Sequence, residues 1–194
     1  MSTSRRKTSY HHGDLRAETL AAAAKLLEEQ GPAGVVLREV ARRAGVSHNA
    51  PYRHFADRGA LLAALAGEGF RELGERLRQS APEAMGEAYV AFALAHPQRF
   101  RLMFGGLVPL ASDPALATAS RQAYEALLQA FRDRGDIGDP AAAAAAAWSL
   151  VHGLAHLLLD GHFRQATREG TDAARFVREV LGAVRFVGAA PKRA

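Results

Sequence analysis

The residues of this chain most able to do chemistry are gathered in "SHNAPYRHFADR", residues 47–58. Two histidines, two arginines, an asparagine and a tyrosine fall within twelve positions of an otherwise alanine-rich sequence. Three chemistries compete for such a cluster. Metal binding needs ligands on one face, but His48 and His54 lie about 240° apart around a helix. Only Asp57 adds a nearby carboxylate. Nucleophilic catalysis needs a nucleophile beside an oriented base. Ser47 and His48 are adjacent in sequence, which does not build that geometry, and Ser47 is better read as a helix N-cap. Contact with a polyanion is the third chemistry. Tyr, Arg and His all donate hydrogen bonds to phosphate oxygens, and His48 and Asn49 offer groups that suit base edges.

A second concentration of such residues lies at 148–163. His152, His156 and Asp160 are spaced i, i+4, i+8 along one helical stripe, which suits a metal. Gly153 follows His152, so the His-Glu-x-x-His pattern of zinc proteases is absent.

Charge supports the polyanion reading. Residues 1–60 carry ten Lys/Arg against six Asp/Glu, whereas the other 134 residues carry fifteen against fourteen. The basic excess therefore sits in the first third, which suits a polyanionic partner or, equally, a solubilising charge bias. There is no cysteine, which removes disulfides, thiolate nucleophiles and Cys-based zinc sites and fits a reducing cytoplasm. Hydrophobic content of 48% is enough for a packed core. The N-terminus does not read as a signal peptide. The run 141–159 is mostly alanine and contains two histidines, a weak match to a membrane span. A soluble, cytoplasmic protein with no membrane partner is expected.

The elements that must position these residues are helical throughout. Residues 1–13 read as a basic arm. Asp14 caps a first helix whose apolar face is Leu15, Thr19, Ala22, Ala23, Leu26 and Leu27, and Gly31-Pro32 ends it. A short second helix carries Leu37, Val40, Ala41 and Ala44, with Arg38, Arg42 and Arg43 off that stripe. Gly45 makes the turn. A third helix starts at Ser47, holds Pro51 in its first turn and closes on Phe55. Asp57 caps a fourth helix, with Leu61, Leu62, Leu65, Phe70, Leu73 and Leu77, which extends to about Pro82. Further helices are expected at 83–95, 98–107, 113–134, 139–163 and 172–187. No stretch alternates with period two, so the fold class is all-α. A short helix, a glycine turn and a second short helix form the helix-turn-helix pattern, whose second helix enters the major groove.

The stretch "LREVARRAGVSHNAPYRHFADRGALLAAL", residues 37–65, resembles the DNA-binding domain of the TetR family of transcriptional regulators. The resemblance rests on Gly45-Val46-Ser47, Tyr52-Arg53-His54-Phe55, Asp57-Arg58 and Leu61-Leu62, and covers about residues 14–65. "YHHGDLR" (10–16), "HPQRFRLMF" (96–104) and "AWSLVHGLAHLLLDG" (147–161) resemble the subgroup whose C-terminal region carries a Trp–His–Gly signature. That signature is Trp148 followed by His152-Gly153 here.

The resemblance implies roles. Arg38 reaches a base edge, His48, Asn49 and Ala50 face the groove, and Tyr52 and His54 hold phosphates. Arg58, usually lysine in the family, anchors the fourth helix to the DNA backbone. Arg53 belongs to the same surface without a defined role, and Ser47 starts the reading helix. At Gly59 the family often has glutamate, and glycine weakens that first turn by up to ~1 kcal/mol. The arm with Arg5, Arg6, Lys7, Tyr10, His11 and His12 either enters the minor groove or lies along phosphates, or is a solubilising tail.

The implied organisation is an arm (1–13), a helix-turn-helix domain of three helices (14–58), a connecting helix (59–80), a C-terminal helical bundle for ligand binding and dimerisation (81–188) and a tail (189–194). The resemblance further implies a homodimer joined through 139–163 and 172–187, with Arg175, Phe176, Val180, Leu181 and Val184 along the second of these helices. It implies double-stranded DNA bearing an inverted-repeat operator as the partner, and a small-molecule effector that releases the repressor. Candidate effector contacts are Phe92, His96, Phe100, Met103, Phe104, Tyr124, Trp148 and His152. No catalytic residue, metal or cofactor is assigned. The competing reading is a small helical metal-binding protein or enzyme using His152, His156 and Asp160.

Overall fold

The computed structural model describes residues 15–164 and 173–184. The arm residues 5–7 and 10–12, the expected cap Asp14, and positions 185–194 lie outside them. Every regular element among the described residues is helical. The chain divides into two compact units, 1–61 and 62–194.

In the first unit, α1 (Leu15–Gly34) buries Thr19, Leu20, Ala22, Ala23, Leu26 and Leu27. This is the expected stripe with Leu20 added and Leu15, at the first turn, only half-buried. The buried Thr19 hydroxyl donates to the Leu15 carbonyl at 2.7 Å, so it carries no unmet hydrogen bond. The helix breaks where Gly31-Pro32 was expected to end it. Gly31 takes φ 68°, a left-handed conformation natural to glycine, and a further turn follows to Gly34. Next, α2 (Leu37–Ala44) buries Leu37, Val40 and Ala41, while Ala44 is only half-buried. Gly45 caps it at φ 69°, ψ 25°, its N–H directed to the carbonyls of Ala41 and Arg42.

The expected third helix is not an α-helix. Residues 51–53 form a single 3-10 turn, flanked by turns from 48 to 54. Pro51 has no N–H to return to Ser47, so the segment closes mainly through tighter i to i+3 bonds. Ala50 N–H donates to Ser47 O at 2.9 Å, and His54 N–H to Pro51 O at 3.0 Å. Ser47 therefore contributes its carbonyl rather than a side-chain cap, and the residue preceding the turn is Ala50. Phe55 is buried and anchors the turn, with the Arg16 guanidinium 5.5 Å from its ring centre.

Asp57 is the N-cap that was expected. Its carboxylate accepts from Ala60 N–H at 2.8 Å and opens α3 (Arg58–Gln79). This helix runs across the division between the units and buries Leu61, Leu62, Leu65, Phe70, Leu73 and Leu77.

In the second unit, a short 3-10 turn (Pro82–Ala84) precedes α4 (Met85–Ala95), and α5 (Pro97–Phe104) follows the break at His96. The fifth helix stops three residues short of the expected 107. Then come α6 (Pro114–Arg132), α7 (Pro140–Leu159) and α8 (Ala173–Gly182). Asp113 and Asp139 cap α6 and α7 through their carboxylates. Helix α4 packs against α7 and α8, and α6 packs against α7.

Helix α7 is more apolar than its alanines first suggest. Its best 18-residue window has mean hydropathy 1.5, long and apolar enough to cross a membrane by length and composition. Only 28% of that window is buried within the chain. Ala141, Ala142, Ala145, Ala146, Ser149 and Leu157 are exposed, which leaves a smooth apolar face open.

Candidate nucleic-acid interface and C-terminal cavity

The turn after α2 presents a continuous polar surface. Ser47, His48, Asn49, Tyr52, Arg53 and His54 are all exposed, as is Arg38 on α2. Tyr52 is 48% exposed, unusual for a large aromatic side chain, and its ring centre lies 6.1 Å from that of His48. His48 Nδ1 and Asn49 Oδ1 lie 3.3 Å apart, so the two polar groups sit side by side.

The arginines of α2 are not equivalent. Arg42 is held by Glu39 through two hydrogen bonds, at 2.5 and 2.8 Å, and Arg43 pairs with Glu29 at 2.6 Å. Arg42 holds the Glu39 carboxyl below its ordinary range. Arg38 makes no such pair among the described residues, so its cation is available to an outside anion.

Two of the expected contacts are placed differently. Ala50 is only 8% exposed and lies under the turn, because the 3-10 geometry rotates its side chain into the unit. Arg58 turns inward. Its Nε donates to Val35 O at 2.8 Å and its NH2 to Pro32 O at 2.5 Å. Pro32 O also accepts from Val35 N–H at 3.2 Å, and the guanidinium fork adds a bond to it and one to Val35 O at once.

In the second unit, aromatic side chains come together around His152. The Tyr89 hydroxyl and His152 Nδ1 share a hydrogen bond at 2.9 Å. Phe104 and His156 lie 4.8 and 4.6 Å from His152 between ring centres. Phe100 stacks on Phe104 at 4.8 Å, and Trp148 meets Tyr89 at 5.8 Å and Tyr124 at 5.3 Å. Burial pushes the Tyr89 phenol well above its ordinary value. It pushes the His152 imidazole down, with a smaller push from His156.

Of the eight expected effector contacts, Phe100, Phe104, Tyr124, Trp148 and His152 thus share one cluster. Phe92, Phe100 and Met103 are buried core. His96 lies 3.6 Å from Glu72, which also binds Arg76 and Arg99 at 2.7 Å each.

A cavity of about 510 Å³ lies on the other side of Tyr89, among α3, α4, α6, α7 and α8. None of the eight expected residues lines it. The sequence reading missed Tyr89, which faces both cavity and cluster. The available signal was a tyrosine inside the apolar run of α4, since a buried phenol requires a partner. Leu181 also lines the cavity, directed at Gly86 rather than outward. A Cβ on Gly86 would stand 2.9 Å from the Leu181 side chain, so glycine permits the close approach of α8.

The metal stripe is not assembled. His152 and His156 are packed among phenylalanines, while the exposed Asp160 pairs with Arg101 at 3.0 Å. Among the described residues no group of three or more metal-ligating side chains converges.

An exposed, cation-bearing turn after a glycine-capped helix, joined to an all-helical second unit, defines a helix-turn-helix DNA-binding transcriptional regulator. Residues 20–65 match the bacterial regulatory proteins of the tetR family, and residues 83–184 match the tetracyclin repressor-like C-terminal domain. The chain belongs to the TetR family. Its second match contains the Trp148, His152 and Gly153 signature positions.

Among relatives, the HTH-type transcriptional repressor Rv3405c of Mycobacterium tuberculosis is 34% identical over 80 residues. That stretch spans 41% of this chain and 43% of the relative. A solved structure of a protein of unknown function from Rhodococcus sp. RHA1 is 36% identical, covers 91% of this chain and 94% of its own, and has TM-score 0.73. A tetR-family regulatory protein from Rhodococcus RHA1 is 21% identical, covers 91% of this chain and 98% of its own, and shares the fold at TM-score 0.63.

Proposed function

We propose that the protein is a cytoplasmic, non-enzymatic homodimer that represses transcription from an inverted-repeat operator and is released by a small molecule held in its C-terminal unit. The observation that carries the DNA reading is the exposed set Arg38, His48, Asn49, Tyr52, Arg53 and His54 around one glycine turn. Arg38, His48 and Asn49 read base edges, where an arginine fork pairs with guanine and an asparagine amide with adenine. Tyr52 and His54 hold phosphates, and Arg53 adds a cation beside them. Arg58 positions this surface by tying α3 to the break between α1 and α2.

Dimerisation is supported by α7, an apolar helix on which Ala141, Ala142, Ala145, Ala146, Ser149 and Leu157 are exposed in the single chain. A contiguous exposed apolar face suits a partner. Small side chains at 141, 142, 145, 146, 149 and 153 let a second copy approach closely. A two-fold pair of reading turns spaced ~34–36 Å apart then fits successive major grooves. The repressing mode follows the relative named as a repressor. The Trp–His–Gly subgroup is supported by Trp148, His152 and Gly153, which stand together on α7.

The test is footprinting on the DNA flanking the gene. A symmetric protected site is expected, weakening steeply as salt rises. Tyr52→Phe and Arg38→Ala should each weaken protection while the melting temperature holds. Unchanged protection with both variants would place the reading surface elsewhere.

A further inference from the structure

The cavity beside Tyr89 constrains the chemistry of what it takes, and this step rests on reading the C-terminal unit as the effector-binding part. We propose that it binds a neutral lipophile: an aliphatic or aromatic hydrocarbon skeleton whose polar group, if any, stays at the rim. Its volume of about 510 Å³ suits a small organic molecule. The walls include Leu77, Met85, Tyr89, Leu127, Phe131 and Val151.

What the walls lack is as informative as what they hold. The one hydroxyl among the described lining residues, that of Tyr89, already makes one hydrogen bond to His152 and keeps capacity for about one more. Among the described residues no buried side-chain nitrogen or oxygen is left without a partner. The backbone amides of α4, α6 and α7 are spent within their helices. A ligand that carried several hydrogen-bonding groups deep into this space would lose their water and find too few partners in exchange. Sugars and nucleotides are therefore disfavoured as the buried part of the ligand.

The rim sets the charge. Among the described residues, Glu83 and Arg134 are the charged side chains that line the cavity, and both are exposed. Arg134 is clamped by Asp136 through two hydrogen bonds, at 3.2 and 3.0 Å. Its charge is therefore compensated, and Glu83 adds a negative one. An anionic end would meet a rim of net negative charge.

The test uses two probes that differ by one group, N-phenyl-1-naphthylamine and 8-anilino-1-naphthalenesulfonate, added to the full chain without DNA. The neutral dye should bind saturably at one per chain, at least tenfold more tightly than the sulfonate. Ala130→Trp, which fills the cavity from α6, should abolish neutral-dye binding. A thermal melt checks that this variant folds. Leu127→Ala, which enlarges the space, should retain binding and provides a second variant if Ala130→Trp does not fold. Equal or tighter binding of the sulfonate overturns the proposal. So does an Ala130→Trp chain that melts normally and still binds the neutral dye.

Val184 lines the cavity and ten residues follow it. If dye binds only after the chain is cut there, the occupant is the chain's own end, and the proposal fails. The same protein in the footprinting assay separates the two readings. Protection with no dye binding rejects the lipophile alone, whereas dye binding with no protection rejects the regulator.

Discussion

Replacing Arg58 distinguishes two roles that make opposite demands. The family resemblance gives this position to the DNA backbone, whereas the structure places its guanidinium on Val35 O and Pro32 O. A hydrogen bond from a charged donor contributes about 1.5–3 kcal/mol. Arg58 is half-buried, so the lower value applies to each bond. Arg58→Met should then destabilise the first unit by about 3 kcal/mol, from two bonds at the lower value. Lysine reaches only one carbonyl, so Arg58→Lys should cost about 1.5 kcal/mol, the loss of one bond.

The assay is hydrogen exchange of α2 amides, such as Val40 N–H, which bonds Val36 O at 2.9 Å. A loss of 1.4 kcal/mol is a factor of ten, so Arg58→Lys should speed this exchange about tenfold. Affinity for duplex DNA of any sequence, measured across a salt series, supplies the second reading. Loss of one phosphate contact lowers the slope of log affinity against log salt by about 0.9. A brace leaves that slope unchanged in Arg58→Lys while affinity falls. The reasoning is refuted if Arg58→Met lowers the slope by about 0.9 with α2 exchange unaltered, and Arg58→Lys behaves as the parent protein.

Three other outcomes follow from named residues. Gly45→Ala forces a side chain into φ 69° and should lower stability by about 1 kcal/mol, seen as a lower urea midpoint at constant slope. Ala146→Glu with Leu157→Glu places charge on the open face of α7 and should convert the proposed dimer to monomers by sedimentation. A variant that remains dimeric would move the interface to another face.

His152 titrates below the ordinary histidine value of about 6.5 because burial, and then His156, oppose its charge. The unfolded chain therefore takes up the proton first. The contribution is complete above pH 6.5 and is lost as pH falls through the lower folded value. The groups facing this ring are Tyr89 and His156. His152→Gln should flatten the dependence of melting temperature on pH below 6.5. An unchanged profile would show that this ring is not the titrating group.

The helical architecture was legible in the sequence because its signals are local. An apolar period, an aspartate at a helix start and a glycine at a helix end act within one or two turns of chain. Asp57, Gly31 and Gly45 accordingly stand where such signals put them. The exposure of the polar residues after the Gly45 turn was legible for the same reason, since such a concentration needs little tertiary context.

Tertiary structure decided the rest. Pro51 could be read as tolerable in a first helical turn. The fold then closed the segment as a 3-10 turn, with Ala50 and Phe55 buried beneath it. Arg58 could be counted as a free cation until the fold brought the carbonyls of Pro32 and Val35 within its reach. The aromatic residues of the second unit were recognisable as a set. Their packing filled the centre and left the void behind Tyr89, because a cavity is what several helices together fail to fill. No single residue type or spacing encodes that remainder.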